Sequence, residues 1–362
     1  MKFNYQKPFR YDNQGEPRVE IIILNWNKWK DTIECLESVY NINYSNYEII
    51  IVDNGSKNES IEMIRAYCRG KLDANLKEDS GNKPIEIVEY KREEAISYEI
   101  KNKEILNLPS NKKLIMIKNE KNYGFADGNN IAIGYALKAI DPNYILLLNN
   151  DVVVDKDFLG QLVRVAESDE TIGIVGPKVY YYDFKGRKDI INFAGGKLDI
   201  WKGQSYHIGL NEADDGQYDE IRNVDYVEGS ALLVKRDALK RIGFIDSIYF
   251  AYWEEVDFCM RALDAGYRLK YVPKSKIWHK VSSSVDNTTK TFYLTRNRFI
   301  FARKYSNKKQ YLAFLLYFFG FQFWLLGGIY LISHKDLNTF IHFLKGILYG
   351  ILLTDSKPVH HH

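Results

Sequence analysis

Apolar residues in the first half of the chain form four short, nearly continuous runs, each ending in polar residues. The runs are VEIIILNWN (19–27), YEIIIVDNGS (47–56), KLIMIKN (113–119) and YILLLNND (144–151). Apolar positions at helical spacing follow the first two runs, at Ile33, Leu36 and Val39 and at Ile61, Ile64 and Tyr67. Strands that alternate with helices pair in parallel and are buried on both faces. The pattern therefore predicts an α/β fold with a mostly parallel sheet between helices.

The pattern is more mixed in the second half. It predicts a helix after residue 151, a strand at IGIVGPKVYYY (172–182), a hairpin around NFAGGKLDIW (192–201) and a strand at VDYVEGSALLVKR (224–236). A loop and helix at 249–266 and a strand at YRLKYVP (267–273) follow. Residues 69–113 are polar and mixed in charge, with one strand candidate, IEIVEY (85–90), and they are interpreted as an insertion or a flap.

Near the end of the chain the composition becomes strongly apolar. Residues 311–332 carry no charge and are long enough to cross a bilayer, whereas residues 340–353 are shorter and contain Lys345. We expect 305–355 to form helices that associate with a membrane, either crossing it or lying on it. The basic segment FARKYSNKK (301–309) predicts that this side is cytoplasmic. The alternative is a pair of helices buried within a soluble domain.

Charge and cysteine content exclude several classes of protein. The chain has 50 Lys and Arg against 47 Asp and Glu, a net charge of +3, so a nucleic-acid binder is not expected. Cys35, Cys68 and Cys259 are widely spaced, which argues against a disulfide framework or a structural zinc site and favours a reducing cytosol. The N-terminal residues lack the apolar core of a signal peptide. Residues 360–362, HHH, are interpreted as the remnant of an expression tag.

The common phosphate-binding and hydrolytic motifs are missing. No GxGxxG follows the first predicted strand, and GxxxxGK[ST], GxSxG and HExxH do not occur. Dinucleotide-binding dehydrogenases, P-loop enzymes, serine hydrolases and zincins are therefore disfavoured.

Acidic and amide side chains instead follow successive predicted strands. Asp53 ends the second run, where its carboxylate could accept from a nucleotide base, and Asn150 and Asp151 end the fourth. Hard oxygen ligands of this kind suit Mg²⁺ or Mn²⁺. NYGFADGNN (122–130) turns through Gly124 into a helix whose N-terminus could face an anion. Each feature alone is also compatible with an ordinary turn.

In this order, the motifs resemble those of the inverting family 2 glycosyltransferases of the GT-A fold, in their rhamnosyltransferase-like branch. The matching segments are IIILNWN, VDNGS, NYGFADGNN, LLLNNDV, EGSALLVKR, GFIDSIYFAYWEEVDFCMRALDAGY and WHK. The resemblance implies a Rossmann-like GT-A domain over residues 1–304. It also implies that the donor is a nucleoside diphosphate sugar, in which the sugar is linked to UDP, dTDP or GDP.

The resemblance also implies the roles of individual residues on the donor side. NND corresponds to the family's DxD signature, which makes Asp151 the expected ligand of Mn²⁺ or Mg²⁺, with His279 of IWHK as a further ligand. Asp53 would read the base, and Arg296 would pair with the pyrophosphate or lie on a helix surface. The full set of expected donor-binding residues is Leu24, Asn25, Asn27, Asp53, Asn54, Gly55, Asn122, Gly124, Phe125, Asn129, Asn149, Asn150 and Arg296.

On the acceptor side a carboxylate must remove the proton of the attacking hydroxyl. The family's EDvD motif reads Glu254-Glu255-Val256-Asp257 here, so a glutamate stands in the position of the base. Glu255 is the expected base, with Glu254 and Asp257 as alternatives; Asp257 could instead brace the following helix. The residues expected to shape the acceptor pocket are Gly229, Ser230 and Trp253.

The predicted function is metal-dependent, inverting transfer of one hexose or deoxyhexose to a glycan acceptor. The apolar C-terminal segment favours a lipid-linked acceptor, with transfer at the cytoplasmic face of the cell membrane. Two alternatives remain. One is a sugar nucleotidyltransferase, although LNWNKWKD is not the expected phosphate loop. The other is a non-catalytic nucleotide- or glycan-binding protein. The base, sugar, acceptor and linkage are not readable from the sequence.

Overall fold

The fold is described from a computed structural model that covers residues 15–72, 81–281 and 286–353. The predicted tag remnant at 360–362, the first residues of the chain and part of the predicted insertion lie outside these described residues.

The described part contains helices and strands in an α/β order. The strands are β1 Val19–Asn25, β2 Tyr47–Asp53, β3 Glu86–Lys91, β4 Lys113–Lys118, β5 Tyr144–Asn149, β6 Val152–Val154, β7 Ile172–Tyr181, β8 Ile191–Phe193, β9 Gly196–Asp199, β10 Gln204–His207, β11 Arg222–Asn223, β12 Ala231–Lys235 and β13 Arg268–His279. The helices are α1 Trp29–Tyr40, α2 Ser60–Cys68, α3 Arg92–Ile96, α4 Lys103–Leu106, α5 Gly124–Tyr135, α6 Phe158–Glu167, α7 Arg236–Ile242, α8 Glu254–Asp264, α9 Asn287–Tyr305, α10 Lys308–Tyr317, α11 Phe323–Gly328 and α12 Leu337–Leu352.

The main sheet has the order β11-β13-β7-β12-β5-β1-β2-β4-β3, with β6 on β13 and β8 on β7. Strands β5, β1, β2, β4 and β3 are all parallel. Each residue of β2 is buried, as are nearly all of β1, because helices cover both faces. The mostly parallel sheet predicted from the apolar runs is confirmed. The chain leaves β1 in one direction and returns through β5 on the other side, which opens a crevice at their carboxyl ends.

The second half adds antiparallel strands that the apolar pattern did not distinguish from parallel ones. Strand β12 runs antiparallel to both β5 and β7, with Ala231 opposite Leu148. Strand β13 is parallel to β7 and, through its last residues, antiparallel to β6, with His279 opposite Val152. The predicted strand at 224–236 is shorter than expected, since β12 begins only at Ala231. These pairings bring distant segments to the ends of β1 and β5.

Residues 69–113 contain more regular structure than their composition predicted. The candidate IEIVEY forms β3, which pairs in parallel with β4 at the edge of the sheet. Helices α3 and α4 and a short 3₁₀ turn, Ser110–Lys112, complete the described part of this segment. Its role as a flap stays a prediction.

The C-terminal segment forms two long helical stretches. Helices α10 and α11 join through π-type turns into one helix, Lys308–Ser333, of 26 residues, whose most apolar window has a mean hydropathy of 1.8. By length and composition this helix could cross a membrane, and only 17% of its most apolar window is buried. The helix is therefore mostly exposed in the described part of the chain, unlike a helix in a protein core. The shorter apolar helix α12 follows it.

Glycines allow α12 to pack closely on α9. A Cβ at Gly350 would lie 2.7 Å from the Phe299 Cβ and 2.8 Å from the Arg296 carbonyl oxygen, and one at Gly346 would lie 2.8 Å from the Phe292 carbonyl oxygen. At the end of α12 the Arg303 guanidinium donates to the carbonyls of residues 350, 351 and 353 at 2.7–3.1 Å. The two helices are thereby fixed to each other.

We expect Gly350→Ala to lower the free energy of unfolding by about 1–3 kcal/mol, because the added methyl group meets backbone that cannot move away. Gly328→Ala is the matched control, since a Cβ at Gly328 meets nothing within 4 Å. That change should be neutral or stabilise by about 0.5–1 kcal/mol, because it removes a glycine from a helix. Denaturant unfolding of both variants measures the difference; equal stabilities would contradict the close α9–α12 contact.

Candidate active site

Polar residues at the carboxyl ends of β1 and β5 and the start of α1 form one hydrogen-bonded network. The Asn25 amide donates to the Asp53 carboxylate at 2.8 Å, and the Thr32 hydroxyl donates to Asn25 Oδ1 at 2.8 Å. The Asn150 amide donates to the Thr32 hydroxyl at 3.0 Å. The structure thus brings together predicted residues from three strands. Thr32, which links them, was not identified from the sequence.

Asp53 is held within the protein at the end of β2. It is buried, and it accepts hydrogen bonds from the Ser56 hydroxyl at 2.6 Å and the Ser56 N–H at 3.0 Å. These bonds fix the turn after β2. The role of Asp53 in reading a nucleotide base stays a prediction.

The start of α5 is packed against the loop at residue 250. The Asn54 amide donates to Asn122 Oδ1 and to the Gly124 carbonyl, both at 3.0 Å. Gly124 has φ +79°, and a Cβ there would lie 2.5 Å from the Phe250 carbonyl oxygen. The Phe125 N–H donates to that same oxygen at 2.7 Å. An anion at this helix N-terminus, as the sequence suggested, would have to displace the Phe250 carbonyl.

The other residues expected at the donor lie around this network. Asn27 has φ +57° and accepts from the Lys57 N–H at 2.8 Å, and the Asn129 amide donates to the Phe125 carbonyl at 2.8 Å. Gly55 has φ +71°, and a Cβ there would lie 2.5 Å from the backbone of Lys121. Leu24 is partly buried against the core. Their contacts are consistent with a rigid floor to the crevice.

Asp151 and His279 come together although 128 positions separate them in the sequence numbering. His279 Nε2 lies 3.1 Å from Asp151 Oδ1, and both side chains are largely buried. Burial opposes the charge on His279, but Asp151 and Glu228 outweigh burial and raise the pKa of His279 to about 10. The site therefore favours a positive charge between its carboxylates.

Glu228 is the third residue and the second carboxylate of this site, and sequence reasoning did not identify it. Its Oε1 lies 3.6 Å from His279 Nδ1. Burial would raise the pKa of Glu228, but His279 holds it below its ordinary value. Two neighbouring buried atoms, Glu228 Oε2 and Ser230 Oγ, make no hydrogen bond of good geometry to the described residues, and Ser230 helps to lower the pKa of Glu228. These atoms are available to a bound polar group.

Glu255 faces the same space from the first turn of α8. A Cβ at Gly229 would lie 3.5 Å from the Glu255 Cβ, so that Glu255 sits directly over this glycine. Its Oε2 is buried and has no hydrogen-bond partner in the described part of the chain. Burial raises the pKa of Glu255 to about 7; backbone N–H groups at the helix start lower it, and the charge of Glu228 raises it. Such a carboxyl group is suited to accept a proton near neutral pH.

The two alternative bases differ from Glu255 in their surroundings. Asp257 is fully buried and accepts from the Arg261 guanidinium at 2.9 Å, the Lys304 ammonium at 2.7 Å and the Tyr305 hydroxyl at 2.8 Å. These contacts are those of a brace between α8 and α9. Glu254 is buried, and burial followed by the charge of Glu255 raises its pKa well above the ordinary value.

The segment before α8 is held by α9. The Arg296 guanidinium donates to the Ile248 carbonyl at 2.5 Å and the Tyr249 carbonyl at 3.0 Å, so its predicted pairing with a pyrophosphate would replace these bonds. The Asn297 amide lies 2.7–2.8 Å from the Tyr249 carbonyl and from two further carbonyls of this segment, those of Ala251 and Tyr252. Trp253 is only 8% exposed, with its ring 4.8 Å from that of Phe301, and it does not present the open aromatic face expected of an acceptor site.

A divalent metal ion fits this site with two protein ligands. The described residues contain no cluster of three or more His, Cys, Asp or Glu side chains able to enclose a metal. Asp151 and His279 offer one oxygen and one nitrogen at 3.1 Å from each other. Mg²⁺ in phosphate chemistry is commonly bound by one or two carboxylates, with the remaining ligands from substrate phosphates and water. The donor set therefore suits a metal that is completed by a diphosphate.

Comparison with known protein families agrees with the fold. Residues 17–299 match the family model described as "Glycosyltransferase like family 2". The chain therefore belongs to this family, and it is a glycosyltransferase. The family identification made from the sequence motifs is confirmed.

Named relatives and a solved structure extend this finding. The chain is 25% identical to the low-salt glycan biosynthesis hexosyltransferase Agl10 of Haloferax volcanii over 66% of its length and 75% of that protein. It is 30% identical to the rhamnosyltransferase WbbL of Escherichia coli K12 over 42% of its length and 58% of that protein. A mannosyltransferase from Pyrobaculum calidifontis, in complex with GDP-Man and Mn²⁺, has a TM-score of 0.56 at 14% identity, covering 94% of this chain and 89% of that one. The shared fold confirms the predicted GT-A class.

Proposed function

We propose that the protein transfers a single hexose or deoxyhexose, with inversion, from a nucleoside diphosphate sugar to a hydroxyl group of a glycan acceptor. The observation that carries this proposal is Glu255, whose Oε2 is buried without a hydrogen-bond partner among the described residues and whose pKa is raised by burial and by the charge of Glu228. Glu228 in turn lies beside His279, which contacts Asp151. A base at the start of α8 thereby lies near an acidic, cation-favouring site at the ends of β5 and β13. The names of the hexosyltransferase and rhamnosyltransferase relatives support the class of sugar.

In this mechanism Glu255 accepts the proton of the acceptor hydroxyl as its oxygen bonds to the anomeric carbon. The bond between that carbon and the diphosphate breaks, and the nucleoside diphosphate leaves from the opposite side. A single displacement of this kind inverts the anomeric configuration. Asp151 and His279 would hold Mn²⁺ or Mg²⁺, whose charge offsets that of the departing diphosphate. Asn25 and Asn150 join the strand ends proposed to surround the donor through their hydrogen bonds with Asp53 and Thr32.

The acceptor is proposed to be lipid-linked and used at the cytoplasmic face of the cell membrane, in the synthesis of a surface polysaccharide or glycoconjugate. The support is the apolar helix Lys308–Ser333, which is largely exposed and follows the catalytic part of the chain directly. A lipid-linked acceptor would be concentrated on the surface where such a helix binds.

Thermal unfolding with UDP, dTDP or GDP, each with and without Mn²⁺, tests the donor site. One nucleotide should stabilise the protein in a metal-dependent manner, by ~2.7 kcal/mol at a hundredfold excess over its dissociation constant. The matching nucleotide sugar and a lipid extract should then yield free nucleoside diphosphate and a product of inverted anomeric configuration by NMR. Folded protein that none of the nucleotides stabilises would refute the proposal.

A further inference from the structure

The two C-terminal apolar helices form a hairpin, here called the C-terminal hairpin, made of Lys308–Ser333 and α12. We infer that this hairpin lies flat in one leaflet, at the boundary between headgroups and acyl chains, and does not cross the bilayer. The inference rests on the membrane association in the proposed function and adds the mode of binding. It identifies the partner as a phospholipid leaflet on the side of the catalytic domain.

The lengths of the two helices disagree with a crossing hairpin. Lys308–Ser333 has 26 residues and at 1.5 Å per residue is about 39 Å long, enough for a hydrocarbon core of ~30 Å. Helix α12 has 16 residues and is about 24 Å long, too short to return across the same core. It also carries Lys345 near its middle. Nevertheless the second half of α12 packs on α9, so the chain comes back to the side on which the long helix began.

Contacts with the catalytic domain lie where a crossing helix would be surrounded by lipid. In the long helix, the rings of Phe314 and Phe318 pack at 5.1 and 4.8 Å from that of Phe299 in α9. The Gln204 amide in β10 lies 3.4 Å from the Tyr317 hydroxyl of the same stretch. In α12, Gly346 and Gly350 meet the backbone of α9. Each helix therefore packs on the catalytic part over one portion of its length, the long helix through residues 314–318 and α12 through residues 346–350.

The turn between the two helices is polar. It contains His334, Lys335 and Asp336, and the Asp336 carboxylate accepts from the Thr339 N–H at 2.9 Å as the cap of α12. If the hairpin entered the bilayer end-on, this charged turn would have to pass through the hydrocarbon to reach the opposite surface, which is costly. In a flat hairpin the turn remains among headgroups and water.

The outer face of the hairpin supplies the apolar surface that a leaflet would cover. Nine of its large apolar residues are each more than half exposed: Leu312, Leu316, Phe321, Trp324, Ile332, Leu337, Leu348, Tyr349 and Leu352. Monomeric soluble proteins rarely expose contiguous apolar patches beyond a few hundred Å². Lysines near both ends of the long helix, at 308, 309 and 335, match the anionic surface of a membrane.

A second element reaches the same surface from the acceptor side. The Arg298 guanidinium donates to the carbonyls of Lys202 and Gly203, both at 2.6 Å, and so holds the tip of the β9–β10 hairpin against α9. Trp201 at this tip is 54% exposed. Tryptophan beside lysine is typical of the membrane–water boundary. Strand β9 in turn bridges to Tyr226, two residues before Glu228. A flat hairpin would therefore bring the acceptor pocket close to the lipid surface.

A single introduced thiol distinguishes the two orientations. The protein with Lys335→Cys is added to preformed vesicles of phosphatidylethanolamine and phosphatidylglycerol and exposed to a membrane-impermeant maleimide without detergent. The three native cysteines are buried and serve as the background. Lys240→Cys, on the exposed face of α7, is the matched control. We expect both introduced thiols to react at rates within about a factor of ten. Protection at position 335 that only detergent removes would overturn the inference.

Fluorescence of Trp324 gives an independent measure of depth. The difference between wild type and Trp324→Phe isolates this residue from the other tryptophans. Phospholipids brominated near the headgroup should quench it more than those brominated near the chain ends, because a flat helix keeps Trp324 at the boundary. The reverse order would place it near the bilayer centre and contradict the flat hairpin.

If wild-type protein does not sediment with the vesicles, the membrane part of the proposed function fails too. Nucleotide-dependent stabilisation still tests the transferase separately.

Discussion

Replacing Glu255 with glutamine should lower kcat for sugar transfer roughly 10²- to 10⁴-fold, the usual contribution of a general base. The amide keeps the size of the side chain but cannot accept the proton of the acceptor hydroxyl. Metal-dependent stabilisation by the nucleoside diphosphate should be unchanged, because Glu255 is proposed to act on the acceptor and not on the donor. Steady-state transfer assays and thermal unfolding of the same preparation provide the two measurements.

Glu254→Gln is the matched control for this change. Glu254 is the neighbouring residue, is also buried, and also has an oxygen without a hydrogen-bond partner among the described residues. The raised pKa of Glu254 arises from burial, Glu255 and Asp257, whereas the charge of Glu228 acts on Glu255. We therefore expect kcat of Glu254→Gln within about tenfold of wild type. A full loss in Glu254→Gln with activity retained in Glu255→Gln would assign the base to Glu254.

The pKa of Glu255 also predicts the acid limb of the pH profile. A carboxyl group with a pKa of about 7 is protonated below that pH and cannot act as a base, so kcat should fall as pH decreases through about 7. Because the charge of Glu228 contributes to this pKa after burial, Glu228→Gln should move the limb to lower pH. A limb that stays in place in Glu228→Gln would show that burial alone sets the pKa of Glu255.

Asp151→Asn should abolish the metal-dependent response to nucleotide and reduce transfer strongly. A metal ion at a departing phosphate contributes several kcal/mol, which corresponds to a loss on the order of 10²- to 10³-fold in kcat. The loss should also appear without catalysis, as weaker Mn²⁺ binding in the presence of nucleoside diphosphate, measured by electron paramagnetic resonance.

Asp157→Asn serves as the control for Asp151→Asn. It removes one carboxylate of the same charge six positions further on, at an exposed position before α6. Mn²⁺ binding and transfer should both match wild type in this variant. If Asp151→Asn binds Mn²⁺ as tightly as wild type and only slows transfer, Asp151 is not the metal ligand, and its carboxylate acts on the donor in another way.

The donor side of the site was largely predictable from the sequence because its residues follow local rules. Asn25, Asp53 and Asn149 each end a continuous apolar run, and parallel strands bring their carboxyl ends to one edge. The polar residues that end these segments, and the order of the segments along the chain, therefore already indicated a crevice at that edge. The network through Thr32 could not be predicted in the same way, since it depends on the placement of α1 over β1.

Glu228 shows why the acceptor side was harder to predict. The sequence placed it beside Gly229 and Ser230, and its importance arises only because β12 runs antiparallel to β5. That pairing carries Glu228 back along residues 149–151 and toward His279, whose own position depends on β13 pairing with β6. Apolar runs do not reveal strand direction, so no periodicity in the sequence could indicate this convergence.

The sequence by itself determined the class of fold, the family and the apolar character of the C-terminus, since apolar spacing, strand-end residues and motif order are local properties of the chain. The tertiary structure decided which carboxylates converge. It separated the braced Asp257 from Glu255, whose Oε2 has no hydrogen-bond partner among the described residues, and it placed Arg296 on backbone carbonyls. It also packed α12 and the first part of the long C-terminal helix on α9. These outcomes depend on burial and on contacts between residues far apart in the chain, which exist only once the strands have paired and the helices have packed.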